Sequence, residues 1–335
     1  ACVCGLLLST PLLRWADAPE DVLPLSVLYL RIYFLGVPAL VVYNFGSALL
    51  RAVGDTFYPL LFMIVSGALN VALNLLLVVV IPLDVAGVAI ATSVSQLLSA
   101  VLVTVRLCTF RGPCRLDLRK LRIHKMASKR ILMMGVPSGL QNAIFAIANL
   151  FVQVGVNSFD AIMVSGNAAA ANADTLVFNM MAAYYTACAS FASRNWGAGN
   201  KDRILKSFYI SMLYAFLTGA LFGGAMLLFG RQFLGLFANE AAVIDAGMDR
   251  LWIMGFSYCV SPLMDASIAA ARGIGKSIAP TVIVIMGSCV FRVVWIYTIF
   301  AYFHTIPSLY LLYIFSWAIT GIAEYIYFRA SYKKC

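Results

Sequence analysis

The sequence predicts an all-α polytopic membrane protein with two pseudo-symmetric helical lobes, and three observations support this. The 335 residues are 62% hydrophobic and 11% charged, whereas a soluble domain has roughly 25% charged residues. The apolar residues form runs of roughly 20 or more, long enough to cross a bilayer core. Two short segments also repeat at a constant distance along the chain. Together these features leave little mass for a soluble domain.

The repeated segments are LLRAVGDTFYP (49–59) and AARGIGKSIAP (270–280), each between two long apolar runs. Arg51 corresponds to Arg272, Gly54 to Gly275 and Pro59 to Pro280, always 221 residues apart. A repeat of this kind indicates two similar bundles joined in one chain. In membranes, that design is typical of transporters whose halves rock around a central site.

The apolar runs and the turn residues between them predict the domain organisation. The first lobe, residues 1–107, holds the end of one helix (1–13) and three transmembrane helices. A basic linker covers 108–127, and six transmembrane helices fill the second lobe, 128–335. The predicted spans are 26–50, 58–80, 84–107, 128–157, 160–192, 203–229, 243–271, 278–302 and 307–329. If the lobes are equal, roughly 90 residues are absent from the start, so we expect an N-terminally truncated first lobe; unequal lobes are the alternative.

The charges predict the orientation in the membrane. With the 106–130 loop in the cytoplasm, the outer side keeps only Arg14, Arg31, Arg231 and Arg250 of the 24 Lys and Arg residues, and Arg292 lies within a span. Such asymmetry is what the positive-inside rule requires. The asymmetry predicts a cytoplasmic C-terminus. It also explains the net charge of +10 as a consequence of membrane topology, so a nucleic-acid partner is not needed to account for it. The basic loop also suits contact with anionic lipid headgroups.

The repeated turns have a structural and a functional interpretation. A cation in the last helical turn, here Arg51 or Arg272, meets the negative end of the helix dipole. Glycine at 54 and 275 permits a tight reversal. The simplest interpretation is a helix–turn–helix at the cytoplasmic surface; the alternative is a part in closing an inner gate.

Several motifs, in order along essentially the whole chain, resemble the multidrug and toxic compound extrusion (MATE) transporters. They are Asn44-Phe45 leading into LLRAVGDT (49–56), Asn70-Val-Ala-Leu-Asn74, GVAIATSVSQ (87–96), GVPSGLQNAIF (135–145), FASRNWGAGNKDRI (191–204), and RGIGKS (272–277) with Arg292 and Trp295. The resemblance implies twelve helices in two six-helix lobes. It also implies export of organic, often cationic or amphipathic, compounds in exchange for H⁺ or Na⁺.

Asn70, Asn74 and Thr92 are polar residues in apolar spans of the first lobe. Asn70 and Asn74 are one helical turn apart and share a face. The resemblance implies that equivalent positions, with an aspartate on the first helix, form a cation or proton site in many members. Position 74 is commonly Asp in those members, and Asn does not titrate near neutral pH. Hydrogen bonding between helices is the competing interpretation.

Embedded carboxylates are the candidates for ion coupling, because a charge at mid-bilayer costs about 2.5–3.5 kcal/mol and is seldom kept without a use. A low dielectric favours the protonated form of a carboxyl group, which suits a proton carrier. Asp174, near the middle of its span, is the first candidate and Asp265 the second. Glu324 is expected near the membrane interface. An ion pair of Arg292 with Asp174 or Asp265 would count against proton carriage.

The second lobe also offers polar and aromatic residues on the faces of neighbouring spans. Asn142, Asn149 and Gln153 form a stripe on one span, and Asn172 and Asn179 lie two turns apart on the next. The candidate cavity-lining residues are Gln141, Asn142, Asn149, Gln153, Asn172, Asn179, Tyr184 and Arg292.

The predicted function is secondary active antiport and multidrug efflux of small organic compounds at the cell membrane, in bacteria the inner membrane. The alternative is a flippase for lipid-linked saccharide, which should have several intramembrane Arg or Lys, whereas the sequence indicates only Arg292. An enzyme is not expected, because His124 and His304 lie in a loop and at a helix end. The eight cysteines lack the spacing of a metal site. We expect no cofactor beyond the coupling ion, no nucleic-acid partner and a monomer in the lipid bilayer.

Overall fold

The computed structural model describes residues 2–15, 22–110 and 115–334, and eleven α-helices make up most of this part of the chain. The chain divides into two compact units, residues 1–122 and 123–335. The division falls within the predicted linker, 108–127. Long helices without strands in the described residues establish the predicted all-α class.

The first unit contains α1 (Cys2–Trp15), α2 (Leu23–Ala52), α3 (Phe57–Val80) and α4 (Asp84–Thr109). The last six residues of α3, Leu75–Val80, wind as a wider π-helical turn. Proline stands in the first turn of α2, where its missing N–H costs nothing. Arg106 near the end of α4 pairs with Asp55 at 2.9 Å and stacks on Tyr58 at 3.8 Å, which fixes the α2–α3 turn against α4.

The second unit contains α5 (Lys125–Asn157), α6 (Ala161–Gly197), α7 (Lys201–Leu234), α8 (Ala241–Ser257), α9 (Ser261–Gly273), α10 (Ile278–Phe303) and α11 (Ile306–Lys334). The single span predicted over 243–271 is wrong in one respect. It is two helices, α8 and α9, that meet at a 50° bend. Pro262 explains the break, since it lacks an N–H and its ring clashes with the carbonyl group four residues earlier.

Seven described helices are long and apolar enough to cross a membrane, and the bent α8–α9 pair makes an eighth. α6 has 37 residues but is not among them, because its Asn and Asp side chains lower its hydropathy. The polar residues of α6 are therefore concentrated in a helix whose neighbours are apolar, and they mark where a site should be sought.

The repeated segments have the same backbone geometry. Gly54 and Gly275 adopt φ of 94° and 81°, a left-handed conformation that favours glycine. Three successive N–H groups close each turn, with N···O distances of 2.9–3.2 Å. In the first turn, N–H 53 donates to carbonyl 49, N–H 54 to carbonyl 51 and N–H 55 to carbonyl 50. The second turn repeats this pattern 221 residues later. The helix after each turn has a π-helical segment at or near its end, Leu75–Val80 and Ile296–Phe300. A residue at φ 44° follows each helix, Asp84 and His304. The repeat thus extends from sequence to local structure.

Glycines let α7 approach α8 and the bend that follows it. A Cβ atom on Gly219 would lie 2.6 Å from the carbonyl oxygen of Tyr258. A Cβ atom on Gly223 would overlap the carbonyl oxygen of Gly255. Gly166 of α6 contacts Gly247 of α8 in the same way, because a Cβ atom on Gly166 would lie 2.7 Å from the backbone nitrogen of Gly247. Such close backbone contacts are typical of helices packed in membranes. They bring the polar residues of α6 and α8 within hydrogen-bonding reach.

Candidate functional site

Two residues of α6 form the base of the site. Asn167 and Asp174 lie seven residues apart, two helical turns along one face, and both are buried. α8 contributes Arg250, and Tyr258 follows at the bend; both are buried too. Tyr310 comes from α11. Five polar side chains from three helices therefore converge inside the second unit.

A continuous hydrogen-bond network joins these side chains. Asp174 accepts from Arg250 Nη2 through Oδ2 and from Tyr258 Oη through Oδ1. Asn167 Oδ1 accepts from Arg250 Nη1 and, at 2.8 Å, from Tyr310 Oη. The Arg250 guanidinium also lies 5.3 Å from the centroid of the Tyr310 ring. A buried ion pair compensates for lost hydration only when its remaining polar atoms are bonded, and most of them are bonded here.

A cavity of about 580 Å³ lies beside this network. Four charged residues line it: Asp174, Asp265, Arg250 and Arg292. Its walls are otherwise polar, aliphatic and aromatic: Phe145, Asn149, Val152, Gln153, Val156, Asn167, Ala171, Thr175, Phe178, Asn179, Met254, Met264, Tyr313 and Trp317. A mainly apolar chamber with a few convergent polar groups is the usual form of a small-molecule site.

Arg292 of α10 is the second arginine of the cavity and is fully buried. Its Nη1 donates to Asn149 Oδ1 at 2.7 Å. The guanidinium carbon lies 4.5 Å from the ring centroid of Phe145 and 4.7 Å from that of Tyr313. The sequence raised an ion pair of Arg292 with Asp174 or Asp265, and neither pair occurs among the described residues. Asp174 pairs with Arg250 instead.

Six of the residues singled out in the sequence line this cavity: Asp174, Asp265, Asn149, Gln153, Asn179 and Arg292. Four of the predicted cavity-lining residues do not: Gln141, Asn142, Asn172 and Tyr184. Asn142 is exposed, Asn172 bonds to carbonyls of its own helix at 3.2 and 3.3 Å, and Tyr184 accepts a bond from Thr218 of α7 at 3.2 Å. Helical spacing alone did not distinguish the helix faces that line the cavity from those that do not.

A second group of charged residues lies where α9 approaches α5. Gln141 is buried and accepts from Arg272 Nη2 at 2.9 Å. Glu324 of α11 does not extend to the interface, contrary to expectation. It is fully buried, and neither carboxylate oxygen has a hydrogen-bond partner among the described residues. Its place in the last turn or two of the predicted span, 307–329, did not reveal how closely the neighbouring helices cover it.

In the first unit, Asn74 Nδ2 donates to the backbone and side-chain oxygens of Asn70 at 2.9 and 3.0 Å. Thr92 Oγ1 donates to the Val88 carbonyl of its own helix at 2.9 Å. No described hydrogen bond joins Thr92 to either asparagine. Arg51 occupies the last turn of α2. Within the residues that the structure describes, no cluster of three or more His, Cys, Asp or Glu could hold a metal ion.

Sequence reasoning missed Arg250, Asn167 and Tyr310. The count of basic residues assigned Arg250 to the outer side, whereas only 7% of it is exposed. One signal was available: Asn167 and Asp174 share the seven-residue spacing that drew attention to Asn172 and Asn179. The pairing with Arg250, 76 residues later, required the fold.

Comparison with protein families gives a match to the model described as MatE over residues 1–76 and 137–298, more than half of the chain. Among curated proteins, the chain is 30% identical over 260 residues to "Probable multidrug resistance protein YpnP" of Bacillus subtilis, covering 76% of this chain and 57% of that protein. It is 24% identical to an "FAD transporter" of Shewanella oneidensis, covering 72% and 54%. The chain thus spans somewhat more than half the length of these relatives.

Among solved structures, the chain is similar to an outward-facing multidrug resistance MATE family transporter of the MOP superfamily, with a TM-score of 0.92 at 21% identity over 99% of this chain and 76% of that one. It is equally similar to a MOP superfamily transporter from Pyrococcus furiosus, described as having reversed polarity of its binding pocket, with a TM-score of 0.92 at 21% identity over 99% and 75%. These likenesses establish the fold, which in such transporters consists of two helical lobes.

Proposed function

The chain belongs to the multidrug and toxic compound extrusion (MATE) family of membrane transporters, and from that premise we propose that the full-length protein is a secondary active exporter. It would expel small organic compounds in exchange for H⁺ or Na⁺ as its two lobes rock. The protein is a multi-pass membrane protein of a family that transports solutes and does not catalyse reactions.

The cavity of the second unit is the observation that supports this proposal. Its volume of about 580 Å³ is within the usual range for sites that bind small molecules. It is lined by α5, α10, α11 and the α8–α9 pair, which are apolar enough to span a membrane, and by the more polar α6. Charged residues in such a place are expensive to keep and mark ion or substrate pathways.

Asp174 and Asp265 are the proposed coupling residues, and they differ in their surroundings. The Asp174 carboxylate has Arg250 and Tyr258 as donors, so protonation would break an ion pair. Asp265 lines the same cavity but forms no ion pair with a described residue. Proton uptake therefore demands less rearrangement at Asp265. Asn70, Asn74 and Thr92 remain candidates for a cation site in the first lobe.

The driving force is sufficient for such a mechanism. A membrane potential of 100 mV supplies about 2.3 kcal/mol for each charge moved, which supports a roughly fifty-fold gradient of a neutral substrate. A pH or sodium gradient adds to it. The repeated turns at Arg51 and Gly54, and at Arg272 and Gly275, would then serve as cytoplasmic gate elements.

The test is efflux from proteoliposomes that contain the full-length protein. A fluorescent cation and a fluorescent anion are loaded, and a pH gradient and then a sodium gradient are imposed. We expect export under one gradient, slowed at least tenfold by Asp265→Asn or Asp174→Asn. Asp245→Asn is the control, because Asp245 is an exposed acid of the same unit. Export that both variants sustain at the wild-type rate would refute the coupling assignment.

A flippase for lipid-linked saccharide is a second candidate, and one observation favours it. The cavity has two buried arginines, Arg250 and Arg292, where the sequence indicated one. Arg250 is neutralised by Asp174, however, so only Arg292 adds to the positive charge. Protection of a labelled lipid-linked saccharide from an impermeant enzyme, with and without the protein, would distinguish the two functions.

We further propose a location in the cell membrane, in bacteria the inner membrane, with a cytoplasmic C-terminus. The mechanism needs no cofactor beyond the coupling ion and no nucleic acid, and a monomer suffices because both lobes are in one chain.

A further inference from the structure

Arg292 has hydrogen-bonding capacity that the described residues leave unused. Of its three nitrogens, only Nη1 has a described partner, the side-chain oxygen of Asn149. Nε and Nη2 are buried and have no hydrogen-bond partner in the part of the chain that the structure describes. These two atoms lie on one edge of the planar guanidinium group, the edge that binds the two oxygens of a carboxylate or phosphate side by side.

No acid among the described residues neutralises Arg292. No carboxylate oxygen of a described residue lies within 4.0 Å of its nitrogens. Of the two acids in the cavity, Asp174 is engaged by Arg250, and Asp265 forms no ion pair with Arg292. The two buried arginines of this cavity therefore differ: Arg250 is paired inside the protein, and Arg292 keeps its charge for another group.

The aromatic residues around Arg292 hold the guanidinium in place without supplying a hydrogen-bond acceptor. Its carbon atom lies 4.5 Å from the ring centroid of Phe145, 4.7 Å from that of Tyr313 and 5.9 Å from that of Trp317. Ring faces attract the cation, but they leave the Nε–Nη2 edge without a hydrogen-bond acceptor. The rings also present flat apolar surface to the cavity, and all three residues line it.

We propose that this cavity binds aromatic compounds that carry an oxyanion, a carboxylate or a phosphate, and that the Nε–Nη2 edge of Arg292 receives that oxyanion. The inference deepens the proposed function, since it names the substrate class of the same cavity. It does not depend on transport, because binding is measurable by itself. The cavity then selects against purely cationic compounds, whose charge Arg292 would repel.

The experiment uses two pairs of ligands that differ only in the oxyanion. Riboflavin 5′-phosphate is compared with riboflavin, and 2-naphthoate with 2-naphthamide, so the pairs distinguish a phosphate from a carboxylate. Equilibrium binding to the purified full-length protein is measured by ligand fluorescence. We expect at least one anionic member to bind about tenfold to a hundredfold more tightly than its neutral partner, the range for hydrogen bonds to charged groups.

Substitutions assign the preference to Arg292. Arg292→Gln keeps a donor but removes the charge, and it should abolish the preference while leaving the affinity for the neutral ligand within about threefold. Arg292→Lys keeps the charge without the planar edge and should therefore retain part of the preference for the anionic ligand. Arg231→Gln is the matched control, because Arg231 is an exposed arginine of the same unit, paired with Asp245.

Equal affinity for the members of both pairs in the wild type would overturn the inference, as would a preference that survives Arg292→Gln. If Arg292→Gln fails to fold, the wild-type comparison and Arg292→Lys decide the matter. Failure of the proposed function would be recognised separately. A preference for anions without efflux under any gradient would refute the exporter and leave the binding site standing.

Discussion

Asp174 on α6 accepts a hydrogen bond from Arg250 on α8, and the two form a buried ion pair between these helices. Its side chains are only 12% and 8% exposed. Tyr258 and Asn167 complete the network around it. The same unit offers an exposed counterpart, Arg231 with Asp245, whose side chains are 67% and 56% exposed.

The first prediction concerns the stability of that buried pair. Asp174→Asn or Arg250→Gln alone should destabilise the protein by about 3–5 kcal/mol, because the remaining charge is left buried without its partner. Joining Asp174→Leu with Arg250→Met should recover most of that loss. Thermal unfolding in detergent would measure it. Single substitutions in the exposed pair Arg231–Asp245 should cost less than about 1 kcal/mol; equal costs at both pairs would contradict the account.

The second prediction concerns two adjacent glycines of α7. Gly223→Ala should cost about 1–3 kcal/mol or more, because the new Cβ would overlap the carbonyl oxygen of Gly255, a backbone atom. Gly224→Ala should instead stabilise the helix by roughly 0.5–1 kcal/mol, since no atom lies within 4 Å of that Cβ position. The midpoint of thermal unfolding should therefore move in opposite directions for the two variants. A shift of the same sign in both would show that α7 and α8 pack differently.

The third prediction concerns the turn between α9 and α10. A Cβ atom on Gly275 would meet no atom within 4 Å, so only its φ of 81° penalises a larger residue. Gly275→Ala should cost about 1–2 kcal/mol, and Gly275→Asn distinctly less, because Asn tolerates the left-handed region. Chemical or thermal unfolding of both variants would measure the difference. The hypothesis of backbone strain is wrong if Asn costs as much as Ala.

The fourth prediction concerns orientation. In a cysteine-free background, Lys201→Cys lies at the exposed start of α7, and Asn239→Cys lies in the exposed α7–α8 loop. The distribution of basic residues predicts that a membrane-impermeant thiol reagent labels position 239 in intact cells, and position 201 only after permeabilisation. Labelling at 201 in intact cells would reverse the orientation.

The helices and the repeat were predictable, because both depend on local properties of the chain. Apolar runs end where turn residues begin, so the predicted spans lie within a few residues of the observed helices. The glycines of the repeated turn indicate a positive φ, because glycine adopts that conformation without a steric penalty. The 50° bend between α8 and α9 had a local signal as well, Pro262, which the uninterrupted apolar run obscured.

The site was only partly predictable. Asp174 and Arg292 stood out because a charge inside an apolar span is rare. Which faces of α5 and α6 line the cavity was not decidable, since Asn142 and Asn149 have similar polarity and only one points to Arg292. Glu324 was misjudged for the same reason: burial depends on neighbouring helices, not on the distance from a helix end.

The sequence by itself determined that the chain is a helical membrane protein with an internal repeat, because hydrophobic length, charge asymmetry and turn chemistry act over a few residues. The tertiary structure alone decided the partners of the buried charges. Asp174 binds Arg250 and leaves Arg292 to Asn149 and three aromatic rings. Electrostatic pairing depends on distances of a few ångströms between helices that are far apart in sequence, and those distances exist only once the helices have packed.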